Sequence, residues 1–286
     1  MANSSPLLGI VFGLAAASSW GSGDFCGGLV ARRTHVYSVV ILSQIVGLVL
    51  LILLALLLAE PVPVLSDVLW AAVAGLAGTV GLVALYRGLA TGPMGVVAPI
   101  AAVVSVILPL LLGFFLEGFA APLQLLGFAV ALCAVWLITR PRAGARIETR
   151  HLVLPLVAGI GFGVFLILID HVSAAAVLWP LAAARAASIL PLFIALRMAR
   201  QPAKPAASQI SLILLVGLLD TGGNAFYALA ARAGRLDMAA VLGALYPAMT
   251  VILARIVLKE RLSRRQGLGL ALALIAVVLI AWSSVL

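Results

Sequence analysis

Apolar runs of about twenty residues follow one another along this chain, each closed by a short cluster of charged residues, prolines or small polar side chains. A helix rises 1.5 Å per residue, so a run of that length spans the roughly 30 Å hydrocarbon core of a bilayer. The pattern predicts ten helical spans, near 7–30, 36–59, 67–90, 94–116, 122–139, 152–174, 177–198, 208–231, 236–258 and 265–284. Little chain remains for a soluble domain. The longest connection, Arg140 to Arg150, is basic and polar and divides the chain almost evenly. The expected organisation is a first five-helix unit over 1–139, a linker over 140–151 and a second five-helix unit over 152–286.

Sliding the chain against itself by 142 residues places Gly75 on Gly217, Gly81 on Gly223, Gly92 on Gly234, Gln124 on Gln266 and Gly127 on Gly269. The end of the alignment follows suit, with Ala129, Ala131, Leu132, Val135, Leu137 and Ile138 falling on Ala271, Ala273, Leu274, Val277, Leu279 and Ile280. Because five is odd, two five-span halves enter the membrane in opposite senses. Inverted repeats of this kind place a binding site at the repeat interface near the midplane and support alternating access. The expected fold class is therefore an all-α membrane protein, ten transmembrane helices in two inverted five-helix repeats around a central cavity.

Composition sharpens the solvent and the orientation. Of 286 residues, 65% are hydrophobic and 9% charged, against about a quarter charged in an ordinary soluble domain. The formal charge of +9 does not signal nucleic acid, because the basic residues sit in short clusters between apolar runs. Loops after odd-numbered spans hold Arg32, Arg33, Arg87, the linker arginines and the basic residues from Arg197 to Lys204 and from Arg255 to Arg265; loops after even-numbered spans hold only Arg232 and Arg235. The positive-inside rule then puts the odd loops in the cytoplasm of an inner membrane and both termini outside. Met1 to Pro6 carry no Lys or Arg, so the first run is expected to stay as a helix rather than be cleaved. Cys26 and Cys133 lie inside apolar runs without CxxC spacing, which signals neither a disulfide framework nor a metal site.

Several short motifs follow one another along the chain: Trp20-Gly21-Ser22; Ala84-Leu85-Tyr86-Arg87-Gly88-Leu89 followed by Gly92-Pro93; Glu117; Phe226-Tyr227-Ala228-Leu229-Ala230; Tyr246-Pro247; and Lys259-Glu260-Arg261-Leu262-Ser263 leading into Gln266-Gly267-Leu268-Gly269. In their order and spacing they resemble the EamA family of the drug/metabolite transporter superfamily. The resemblance covers nearly the whole chain. It implies a basket of ten helices around a cavity that exports or exchanges amino acids and other small metabolites. It also implies an uncharged residue where this chain has Asp24, and cytoplasmic termini where the charge count places them outside.

An ionisable side chain within a span costs at least a few kcal/mol on insertion scales, so it faces the bundle interior and marks candidate function. Asp24, Arg185 and Asp220 lie deep, and Asp170 lies nearer an end beside His171. Asp220 opens the stretch Asp220-Thr221-Gly222-Gly223-Asn224, with Tyr227 near Asn224 on the same face. The paired glycines either loosen that helix or admit a close backbone approach. Arg185 stays protonated and reads as a counter-charge to a substrate carboxylate, to Asp220 or to Asp24. Trp20, Tyr227 and Tyr246 offer a cavity apolar surface with one polar tip each; Tyr86 and Arg87 read as interfacial, and Arg255 snorkels. Pro99, Pro109, Pro180, Pro191 and Pro247 fall within spans and can bend them.

The resulting expectation is a secondary transporter, an exporter or exchanger of a small metabolite such as an amino acid or related zwitterion. Trp20, Asp24, Arg185, Asp220, Asn224, Tyr227 and Tyr246 bind the substrate, with proton coupling open and no cofactor or metal called for. Two other readings remain. Gly21-Ser22-Gly23-Asp24 matches the GxGD pattern of intramembrane aspartyl proteases, but the tyrosine-aspartate motif of that family is absent and a repeat has no part in such chemistry. A receptor or scaffold is the other. No GxxxxGK[ST], HExxH or GxSxG occurs, so no enzyme signature supports catalysis.

Overall fold

A computed structural model describes residues 6–91, 94–139, 152–172, 176–198, 205–257, 259 and 263–283. The Gly92-Pro93 turn, the 140–151 linker and Glu260-Arg261-Leu262 lie outside the described residues. Among those described, every regular element is a helix: α1 (Pro6–Ala31), α2 (Val36–Leu57), α3 (Leu65–Thr91), α4 (Met94–Glu117), α5 (Pro122–Thr139), α6 (Val153–Val172), α7 (Leu178–Met198), α8 (Ala207–Ala233), α9 (Leu236–Gly243), α10 (Tyr246–Val257) and α11 (Arg264–Ser283). Among the described residues, six stretches are long and apolar enough to cross a membrane: α2, Leu65–Gly88 of α3, α6, α7, α8 and the α9–α10 run Leu236–Val257. Shorter apolar helices occupy Ile100–Leu116 and Pro122–Leu137.

The ninth predicted run differs from expectation: it is two helices rather than one. Pro247 has no N–H to donate to the carbonyl of Gly243, four residues back, so the helical ladder stops there. The turn is closed by the Ala244 and Leu245 N–H groups, which donate to the Ala240 and Leu242 carbonyls. Pro191 sits inside α7 and Pro180 in its first turn, where a missing N–H costs nothing. α8 runs unbroken through Gly222 and Gly223, so the pair forms no hinge, and Gly223 serves the close approach of Trp20.

Helices α3, α8, α4, α9, α5 and α11 show the repeat directly, because Leu65 and Ala207, Met94 and Leu236, and Pro122 and Arg264 start helices 142 residues apart. The packing repeats too. α1 packs on α8 as α6 packs on α3, α4 packs on α6 as α9 and α10 pack on α1, and α3 packs on α7 as α8 packs on α2. The pairs α2–α7 and α5–α11 map onto themselves. Two aligned glycine pairs explain why. A Cβ on Gly75 would strike the Ala184 backbone and one on Gly217 would strike that of Ser43; a Cβ on Gly81 would meet Phe162 and one on Gly223 would meet Trp20. Each pair opens the same crossing in both halves, where small residues let backbones approach without a hydrophobic drive between helices. The outward surface is apolar, with Phe115 86% and Leu57 79% exposed, as expected where lipid is the solvent.

One tie between the halves lay outside the sequence reading. Glu60, in the connection from α2 to α3, accepts the backbone N–H groups of Val177, Leu178 and Trp179 at 2.8–2.9 Å, and its own carbonyl accepts the Trp179 indole N–H at 3.1 Å. These are orphan donors at the start of α7, and a carboxylate answers them with charge complementary to the helix dipole. Replacing Glu60 by Ala is expected to cost about 2 kcal/mol, the scale of charged hydrogen bonds to backbone, with Glu60→Gln intermediate. Thermal unfolding of the purified protein in detergent checks this; an unchanged midpoint for the Ala variant contradicts it.

Candidate functional site

The cavity at the centre of the helices has a volume of about 100 Å³. Its polar side chains come from six helices. Arg185 of α7 is buried, only 4% exposed, and its Nη2 lies 2.7 Å from Oδ2 of Asp220 on α8. The other guanidinium arm, Nη1, donates to Oε1 of Gln44 on α2, whose amide donates in turn to Oγ1 of Thr79 on α3 at 3.1 Å. An arginine in so enclosed a place needs an anion beside it, and the chain meets that need from the next helix. Gly47 makes the geometry possible, since a Cβ there would meet Thr221 and the Arg185 Nε and Cδ atoms. The Nε itself is buried and without a partner.

A second polar contact lies one turn along α8 from Asp220. The Trp20 indole N–H of α1 donates to Oδ1 of Asn224 at 2.9 Å, and its ring lies 5.8 Å from that of Tyr227. Gly223 and Gly243 flank the indole, so a Cβ on either would press into it. Thr250 of α10 donates to the Gly21 carbonyl at 2.9 Å, holding the broken ninth run against α1. Asp24, one turn beyond Trp20, is half-buried and lines the cavity. It interacts electrostatically with Asp220 and forms no hydrogen bond or ion pair with the described residues.

Of the seven residues expected to form a site, Trp20, Asp24, Arg185, Asp220, Asn224 and Tyr246 line this one cavity. Tyr227 does not. It is fully buried behind Trp20, its hydroxyl donating to the Leu166 carbonyl at 3.4 Å. Tyr86, expected at an interface, is instead 1% exposed against Gly27, which leaves room for its ring. Arg87 bears out a peripheral place, stacked over Tyr37 with 4.7 Å to the ring centroid. Arg255 is exposed. Asp170 and His171 lie apart from the cavity lining, with His171 edge-on to Trp70. The sequence reading missed Gln44, Thr79, Ser105, Phe162 and Phe165, which also line the cavity.

The 142-residue shift would have found some of them. Trp20 and Phe162, Asp24 and Leu166, Gly78 and Asp220, and Leu82 and Asn224 are four pairs at that spacing, and all eight residues line the cavity. Corresponding faces of the two halves therefore converge on one space, while their chemistry differs: the charged or polar member of each mixed pair is unmatched.

The fold and site define a helical membrane protein with a largely apolar cavity that bears a few charged and polar groups, the general form of a small-solute carrier. The profile of the EamA-like transporter family matches residues 7–140 and 150–282. The chain belongs to that family, within the drug/metabolite transporter superfamily. A solved structure titled "Crystal structure of protein" resembles it with a TM-score of 0.80 and 14% identity, covering 97% of this chain and 98% of that one, a likeness of fold. No curated protein matches the sequence.

Breaking the ion pair from one side strands a charge. Arg185→Gln is expected to cost about 3 kcal/mol, the low end for a buried pair because Asp220 keeps 20% exposure. Arg185→Gln with Asp220→Asn together should cost clearly less than the sum of the singles. A double-mutant cycle on unfolding free energy reads this coupling, and additive losses contradict it.

Proposed function

We propose that this protein is a secondary transporter that moves a small organic metabolite outward across the inner membrane by alternating access. Ten spans in two inverted five-helix repeats form the moving parts, with 1–139 and 152–286 as the two units and 140–151 as their linker. The observation that carries this reading is the convergence of residues 142 apart on one cavity. In inverted-repeat carriers the site lies at the repeat interface, and rocking one half against the other exposes it to each side in turn. The break at Ala244–Leu245 beside that cavity supports the same reading, since irregular backbone is tolerated at membrane depth where it lines a cavity. Trp20, Asp24, Arg185, Asp220, Asn224 and Tyr246 contact the substrate, while Tyr227 fixes Trp20. The partners are the substrate and the bilayer, and the carboxyl groups of Asp24 and Asp220 are the groups a proton-coupled cycle would use.

Counterflow of a metabolite panel in proteoliposomes tests the proposal. The wild type is expected to accumulate at least one labelled metabolite against its unlabelled counterpart, and Asp220→Asn and Arg185→Gln are each expected to lower that flux by about tenfold or more, as loss of a buried charged contact does. Unchanged flux in both variants contradicts the site; no flux from any metabolite contradicts transport. A reporter fused to the C-terminus is expected to signal from outside the cytoplasm, and a cytoplasmic signal overturns the orientation.

A further inference from the structure

The charges in the cavity do not balance. Among the described residues, three charged ones line it: Asp24, Arg185 and Asp220. Arg185 and Asp220 neutralise each other at 2.7 Å. Both terminal guanidinium nitrogens are engaged, one by Asp220 and the other by Gln44, and the Nε lies against Gly47 of α2. No cation among the described lining residues is left to receive a substrate carboxylate. One carboxyl group, Asp24, is in excess.

Folding does not account for that carboxyl. Its counterpart 142 residues on is Leu166, which lines the same cavity from α6 as Asp24 does from α1. The crossing that brings Asp24 inward, α1 on α8, has its equivalent in α6 on α3, built there with an apolar side chain. An ionisable group kept at membrane depth without a partner is costly, and the scaffold shows that an apolar residue serves at that position. The groups that interact electrostatically with Asp24 from the helices around it are Asp220 of α8, Tyr246 of α10 and Tyr86 of α3. None of these is cationic, and Arg185 of α7 is already paired with Asp220.

The remaining walls are aromatic and aliphatic. Trp20, Phe162, Phe165 and Tyr246 surround the space, with Leu82 and Leu181. Aromatic faces attract an ammonium group and accept an apolar body.

Resting on the transport reading above, we propose that the substrate class is a monovalent organic cation: an amine or quaternary ammonium compound with an apolar or aromatic body and no carboxylate of its own. Its charged head sits on Asp24 and its body against Trp20, Phe162 and Tyr246. This departs from the amino-acid-like substrate suggested by an acid and a base in one chain, because that acid and base are spent on each other. A zwitterion would bring its carboxylate into a cavity whose unpaired charge is negative, where like charges are rejected.

Three compounds matched in ring and chain length test the inference: phenethylammonium, phenylalanine and 3-phenylpropionate. Binding to the purified full-length chain is measured by calorimetry, and counterflow of each in proteoliposomes. Phenethylammonium is expected to bind and exchange, with the other two weaker by about tenfold or more. Asp24→Asn is expected to weaken the amine by about thirtyfold, while Asp24→Glu retains it. Phenylalanine equal to or better than the amine, no binding of the amine, or unchanged amine binding by folded Asp24→Asn overturns the inference. If Asp24→Asn does not fold, the wild-type series alone decides. Amine binding without counterflow overturns transport and leaves the cation site standing; counterflow of phenylalanine without the amine does the reverse.

Discussion

An arginine that holds its proton in almost any surroundings cannot rest in a lipid-bounded interior without an anion in contact. That requirement joins α7 to α8 through Arg185 and Asp220, and Gln44 extends the join to α2 and, through Thr79, to α3. Four helices are thus held around one point by a chain of charged and polar groups. The approach depends on residues with no side chain at all: Gly47 under the guanidinium, Gly75 and Gly217 where α3 meets α7 and α8 meets α2. A buried pair of this kind adds little net stability compared with well-packed apolar residues, yet is costly to break from one side. Its consequence here is geometric, because it fixes which face of each helix looks into the cavity.

The two halves share their backbone plan and divide their chemistry. Gly81 accommodates Phe162 as Gly223 accommodates Trp20, so the aromatic wall of the cavity is close to symmetric. The polar groups are not: Asp24 faces Leu166, Asp220 faces Gly78 and Asn224 faces Leu82 across the repeat. A symmetric scaffold suits rocking of one half against the other. Asymmetric charges give the cavity a sign. Once Arg185 and Asp220 have neutralised each other, that sign is set by Asp24, and the aromatic wall beside it suits an organic cation.

The helical plan was largely legible in the sequence because lipid imposes a simple rule: a run of apolar residues long enough to span and free of charge. Helix starts at Val36, Met94, Pro122 and Leu236 fall where the pattern put them. The break in the ninth run was not read, although Pro247 announced it, because a proline within a span bends, breaks or is simply tolerated according to its neighbours. Pro191 lies within an unbroken α7. The charged candidates were easy to find, since each stands out in an apolar run. Gln44 and Thr79 were passed over because uncharged polar residues are common within membrane helices and only packing tells which face inward. Tyr227 shows the converse: its position beside Asn224 suggested a lining residue, but it is turned to the back of Trp20. Glu60 sat in a loop, where nothing in the pattern indicated that it would meet the start of a helix more than a hundred residues away.

The most direct measurement is an experimental structure of the full chain with phenethylammonium bound. The predicted result places the ligand nitrogen within about 3 Å of an Asp24 carboxylate oxygen, the ring against Trp20 and Phe162, and the Arg185–Asp220 pair intact. A ligand seated on Asp220 with Arg185 displaced, or lying outside the cavity altogether, would contradict the account.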